Sequence, residues 1–188
     1  MIADILNKIG FFSEADIQLL ENRITQKQVK KGEIILKQGD VCKSIYFIIK
    51  GAFLQYNFKD EIEQNIIDLH LEGDWLLNHQ SFISQKPSKT IIEAFTESVV
   101  FEININTLHH LIGLSPAFFQ LGKVLEQVNS RTHFFDNSLT PLQKYQYLIE
   151  NRREIIQAFP LKIIASYLKI TPETLSRVRE KLAKGIIS

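Results

Sequence analysis

From Val29 to Ile103 the apolar residues arrive in short runs separated by turn signals, and that pattern leaves few architectures open. The runs are Glu33–Leu36, Ser44–Ile49, Ala52–Phe58, Glu63–Leu69, Thr90–Ala94 and Ser98–Ile103. Between them stand Lys31-Gly32, Gly39-Asp40, Lys50-Gly51, Lys59-Asp60 and Gly73-Asp74. Such runs are too short for helices, and their β-branched and aromatic residues suit a pleated surface. Many short strands at this spacing need covered faces and managed edges, which a sandwich or barrel supplies, here a jelly roll of about eight strands. A roll of that kind encloses a cavity.

Outside this segment the period changes to that of a helix. Ser13-Glu-Ala-Asp16 is a capping signal ahead of Ile17, Leu19, Leu20 and Ile24, so a short helix precedes the first strand. Asn104 caps a second one through Leu108 and Leu111, and Ser115-Pro116 opens a longer one. Along that helix Phe118, Leu121, Leu125, Val128, Thr132, Phe135 and Leu139 alternate at three and four residues, the seam of a coiled coil. The seam predicts a dimer helix; the same stripe could instead pack on the roll of its own chain. Thr140-Pro141 begins a further helix with Tyr145, Leu148 and Ile149 on one side, and Asp136-Asn-Ser138 marks a boundary.

The stretch from Leu161 to Lys181 is the most direct statement of purpose. Ile164, Ala165 and Leu168 recur at helical spacing, as do Leu175, Val178 and Leu182, with a break near Lys169-Ile170-Thr171. Thr171 is an N-cap and Pro172 the first residue of the second helix, a position where a missing N–H costs nothing. Ala165 lets the two axes approach, and Ile170 fills the inside of the turn. With the apolar residues turned inward, Thr171, Glu173, Thr174, Ser176, Arg177 and Lys181 face outward. Arg matches guanine O6/N7, Glu accepts from cytosine N4, and Ser, Thr and Lys hold phosphates or base edges. These residues describe a helix-turn-helix that reads double-stranded DNA; the plainer alternative is a packing αα-hairpin. The chain is thus α+β: an N-terminal jelly roll (double-stranded β-helix) over residues 1–113, a dimerisation helix over 114–138 and a helix-turn-helix domain over 139–188.

Charge supports the division. Residues 140–188 carry nine Lys/Arg against four Asp/Glu, and residues 1–139 thirteen against seventeen, so a net +5 tail follows a −4 body. A basic terminal domain suits phosphate binding, although a charge run is often only a solvated face. Cys42 is the only cysteine, which excludes an intramolecular disulfide, a cysteine zinc site and a cysteine-ligated iron–sulfur cluster. No basic leader followed by an apolar run opens the chain, and no segment has the length to span a bilayer, so the expectation is a cytoplasmic protein without a membrane partner.

The order of these parts resembles the Crp/Fnr family of bacterial transcription regulators. The resemblance rests on Lys31-Gly32-Glu33-Ile34 with Gly39-Asp40, Tyr46-Phe-Ile-Ile-Lys-Gly51, Gly73-Asp74, and Ile164-Ala165 with Thr174-Leu-Ser-Arg177, and it covers nearly the whole chain. It implies a cyclic-nucleotide-binding-type roll, a homodimer, a near-palindromic DNA site, a small-molecule effector, and RNA polymerase as partner where the regulator activates. With one cysteine and no clustered metal ligands, the expectation is no cofactor and no catalysis. Gly73, Asp74, Asn78, Lys89 and Thr90 occupy the family's effector cassette, with departures. Leu77-Asn78 stands where cyclic-AMP binders place Gly-Glu, and Lys89-Thr90 where they place Arg-Ser or Arg-Thr. Leu77 is bulky, Asn78 uncharged, and Lys89 a point charge in place of a planar fork. These departures argue for an effector other than cyclic AMP. In the reader, Lys169 stands where the family favours Gly, Pro172 where some relatives carry a base-reading Arg, and the chain gives at most the first strand of a wing at Gly185–Ser188.

Two other classes compete. A cupin-type metalloenzyme needs clustered ligands, usually His-x-His with Glu and a later His. His70 and His79 lack that spacing, and His109 and His110 are neighbours on a helix and diverge. A sensor acting on a protein partner would leave residues 161–182 unexplained.

Overall fold

The computed structural model describes residues 1–59, 63–133, 135 and 139–185, without the side chains of Thr132 and His133. Asp60, Thr132 as a seam residue, the boundary at Asp136–Ser138 and the last residues of the wing region therefore lie outside what is described. Eight strands form two four-stranded sheets, ordered β1-β8-β3-β6 and β2-β7-β4-β5. They are β1 (Thr25–Val29), β2 (Ile34–Leu36), β3 (Ser44–Lys50), β4 (Ala52–Phe58), β5 (Gln64–Leu71), β6 (Trp75–Leu76), β7 (Ile91–Ala94) and β8 (Ser98–Asn104). All pairings are antiparallel, and β5 and β6 are end strands of their sheets. Gly32, Gly39, Gly51 and Gly73 all have positive φ, as their turns require. Gly51 has a second reason: a Cβ there would sit 2.1 Å from Ser98 Oγ and 2.8 Å from Ser98 Cα.

Helices α1 (Ile2–Asn7) and α2 (Glu14–Glu21) precede the roll. The Ser13–Asp16 capping box is formed, with each side chain bonded to the other's backbone N–H. Helix α3 (His79–Ser84) crosses between β6 and β7, and α4 (Ile105–Leu114) follows β8. After Ser115 the single long helix expected from the stripe is instead a 3-10 segment, Pro116–Leu121, continuing into α5 (Gly122–His133). Four short helices complete the chain: α6 (Pro141–Asn151), α7 (Arg153–Ala158), α8 (Leu161–Tyr167) and α9 (Pro172–Ala183).

The apolar residues gather in two clusters. The first fills the roll and takes in α1, α2, α4 and the inward face of α5. The second lies between the outer face of the β4–β5 pair and helices α6–α9, joining Ala52, Leu54, Tyr56, Ile66 and Leu69 to Tyr145, Leu148, Ile164 and Leu168. Strand β4 is consequently buried without interruption from Ala52 to Tyr56. Alternate residues face the roll interior and the helices, as in a strand covered on both sides.

This packing corrects the seam. Phe118, Leu121 and Val128 are 0%, 2% and 1% exposed within the roll cluster, and Phe135 is 3% exposed in the second. Burial that complete within one chain leaves these side chains no surface for a partner. Leu125 is half-buried against the roll cluster. Within this one chain Phe118, Leu121 and Val128 pack on the roll and Phe135 on the helices of the second cluster.

Candidate nucleic-acid interface

Helix α8 and helix α9 form the expected pair, joined through Lys169-Ile170. Ile164, Ala165 and Leu168 are fully buried, and Leu175 and Val178 of α9 face them. Thr171 accepts from the Thr174 N–H at 3.2 Å and starts α9 with Pro172 in its first turn. Lys169 has φ +58°, so the turn position does demand left-handed backbone of a non-glycine residue. The lysine earns its place through its head group: Nζ donates to the Ile66 carbonyl at 2.6 Å and to Asn65 Oδ1 at 3.1 Å on β5.

The outward face of α9 carries the reading residues. Thr171, Glu173, Ser176, Arg177 and Lys181 are exposed and Thr174 is half-buried. Arg177 lies one turn beyond Glu173, and its Nε donates to the Glu173 carbonyl at 3.4 Å. The Glu173 carboxyl lies below its usual range, held there first by its own backbone amide at the helix start and then by Thr171. Every residue assigned to DNA reading from the sequence is therefore brought onto one short helix.

Of the effector candidates only Asn78 and Thr90 are brought together. Gly73 is an exposed turn residue, and Asp74 accepts from Arg152 of the α6–α7 junction at 2.7 Å. Lys89 is exposed to solvent. Asn78 and Thr90 are buried and satisfied by each other: Asn78 caps α3 at the Ser81 N–H and donates to Ser88 Oγ and Thr90 Oγ1, and Thr90 also receives Gln55. The carbonyl oxygen of Gln55 and Nε2 of His70 are buried with no hydrogen-bond partner among the described residues.

Sequence reading missed a polar cluster made of Asp68, His70, Arg131, Arg152 and Tyr167. Asp68 and His70 are fully buried on β5. Burial first, and then the Arg131 cation, push the His70 imidazole well below its ordinary pKa of 6.5. Burial works against the charge on Arg131, but Asp68 and Asp74 more than offset it and raise its pKa. The signal was available: Ile66-Ile-Asp-Leu-His-Leu71 is an apolar run with two polar residues in alternate positions, a pattern that an outward-facing polar stripe also gives.

The structure thus joins an antiparallel roll, a bracing helix and an exposed helix-turn-helix. Residues 26–113 match the family model of the cyclic nucleotide-binding domain. The chain is 27% identical over 193 residues to the fumarate and nitrate reduction regulatory protein of Yersinia pestis, covering 93% of this chain and 76% of that one. It is likewise 27% identical to the anaerobic regulatory protein of Haemophilus influenzae, covering 94% and 74%. The structure of FixK2 from Bradyrhizobium japonicum superposes with a TM-score of 0.67 at 19% identity, over 88% of this chain and 87% of that one. That of the c-di-GMP-responsive regulator CLP from Xanthomonas campestris gives 0.62 at 17%, over 94% and 95%. Over nearly its whole length the chain is thus similar to transcription regulators of the Crp/Fnr type, with a cyclic nucleotide-binding-type domain over residues 26–113. These relatives are named as regulatory proteins, which supports a DNA-binding regulator. Among the described residues no helix is long and apolar enough to cross a membrane.

Proposed function

We propose that the chain acts as a homodimer that reads a near-palindromic DNA site with one α9 from each protomer, under an effector other than cyclic AMP. The observation that carries the reading is α9 itself: a capped helix with an apolar face against α8 and Glu173, Ser176, Arg177 and Lys181 free on the other side. The division at residues 113 and 138 into roll, linking helix and reading head is part of the same proposal, as are a cytoplasmic setting and RNA polymerase as partner at activated promoters. Selection of bound duplexes from a random pool tests it. The expected winners carry two half-sites about one helical turn apart; a pool that shows no enrichment overturns the reading.

The dimer needs a surface other than the buried stripe. Phe119 is 68% exposed in the 3-10 segment that leads into α5, and half-buried Leu125 follows on α5. These are the apolar groups that the 3-10 segment and α5 leave for a second chain. Against cyclic AMP stand the absence of a ribose carboxylate at Asn78, the solvent-exposed Lys89 and the engagement of Asp74 with Arg152. Two missing charge-assisted contacts at roughly 1.5–3 kcal/mol each lower affinity by two decades or more. Calorimetry with cyclic AMP is expected to give no binding at micromolar concentration, and micromolar affinity would reverse this part of the reading.

A further inference from the structure

Two guanidinium groups share one carboxylate at the junction of the roll, α5 and the reading head. Asp68 and His70 lie opposite Gln55 and Phe53 across the β4–β5 ladder, on the face that looks into the roll. Arg131 of α5 reaches both of them and the backbone of β6. Its Nε donates to Asp68 Oδ2 at 2.7 Å, and one terminal nitrogen donates to His70 Nδ1 at 2.6 Å and to the Trp75 carbonyl of β6 at 3.2 Å. The other terminal nitrogen stands 3.4 Å from Asp74 Oδ1, too far for a good hydrogen bond. Asp74 Oδ2 is held at 2.7 Å by Arg152, the residue between α6 and α7.

We propose that Asp74, Arg131 and Arg152 form a latch by which events on the inner face of the roll set how firmly the reading head is docked. Asp68, His70 and the Trp75 carbonyl take three of the five donors of Arg131 and hold its free end 3.4 Å from Asp74, which is left to Arg152. A ligand or rearrangement that draws Asp68 or His70 away frees Arg131 to take Asp74 in a two-point ion pair. Arg152 then keeps only its pairing with Glu154 inside the head, and its contact with the roll is lost, so docking rests on the apolar face and the contacts of α8. A cavity of about 320 Å³, lined by Asp74, Gln127, Arg131, Tyr147, Arg152 and Tyr167, gives water access to the pairs as they exchange. Both pairs are partly exposed, with side chains 15–20% accessible, so they can exchange partners without the full cost of isolating a buried charge.

The inference rests on α6–α9 being the DNA-reading part, but its test needs no DNA. The amide of Ile66, on the free edge of β5, donates to Ser166 Oγ of α8 at 3.0 Å. Its exchange with solvent therefore reports undocking. Native-state hydrogen exchange by NMR on the full chain, comparing wild type with Asp74→Asn, Arg152→Gln and the double variant, reads the latch directly. Each single substitution is expected to speed exchange at Ile66 by about tenfold or more. The double variant should be no faster than the faster single one, because one contact has been removed twice. The amide of Ile92 in β7, inside the same sheet, should not change. Unchanged exchange at Ile66 in both single variants overturns the latch. So does equal acceleration at Ile66 and Ile92, which would mean that the substitutions only weaken the roll.

Discussion

Arg177 and Lys181 project from the same exposed side of α9 but stand a turn apart. Arg177 is nearer the helix start, the end that contacts base edges, and its fork matches guanine bidentately. Lys181 is further along, where a recognition helix passes the backbone, and an ammonium suits phosphate. Arg177→Ala should cost about 1–3 kcal/mol per half-site and relax preference at one symmetric pair of positions, whereas Lys181→Ala should weaken all duplexes alike and lower the salt slope by about one. Competition between specific and scrambled duplexes at two salt concentrations separates them. Lys169 poses a different balance. Replacing it by Gly relieves about 1 kcal/mol of left-handed strain but removes a charged donor from two acceptors on β5, worth roughly 1.5–3 kcal/mol. The second effect is larger, so Lys169→Gly should lower the melting temperature, and an increase would show that the strain dominates.

His70 supplies the pH dependence. Its folded pKa is depressed, so as pH falls below 6.5 the unfolded chain takes up a proton that the native chain refuses. The unfolded state then binds more protons, and stability present at neutral pH is lost as pH falls toward the folded value. Melting temperature should drop between about pH 7.5 and about pH 5.5, and His70→Gln should flatten that drop. An equally steep drop in the variant would assign it to other groups.

At the scale of elements, sequence legibility followed the strength of the apolar signal. The runs read as β2–β5, β7 and β8 are strands, and every glycine marking their turns has the backbone that a turn asks for. Strand β1 went unseen because Thr25-Gln-Lys-Gln-Val29 is a polar edge strand whose first four residues are exposed. It is defined by its pairing with β8 and by the Lys27–Glu102 ion pair, which no local pattern encodes. The two-residue β6 and the single-turn helices α3 and α7 are likewise set by what surrounds them. Ala52-Phe-Leu-Gln-Tyr56 lacks the alternation of a half-solvated strand, but reading it only as one run among several did not reveal that β4 is covered on both faces. The stripe on α5 could not reveal which surface it meets, because a roll and a second chain ask for the same spacing. Phe119 offers the test. Being exposed, Phe119→Asp should leave the fold intact and shift sedimentation from dimer toward monomer; a variant that stays fully dimeric places the interface elsewhere.

For the whole molecule, the reading head is also a cover. Ser166 and Lys169 satisfy the Ile66 N–H and carbonyl on the outer edge of β5, and α6–α9 bury Leu54, Tyr56 and Leu69 on its outer face. An end strand with unpaired backbone groups beside an apolar surface is a template for another strand. Any state that lifts the head therefore exposes a seed for self-assembly, and the regulator's freedom to move is bounded by its own solubility. Cutting the chain after residue 138 should leave a folded roll that associates through β5, with oligomers growing in number with concentration on gel filtration. Ile66→Lys on that fragment, a charge set into the bare edge, should return it to a single small species.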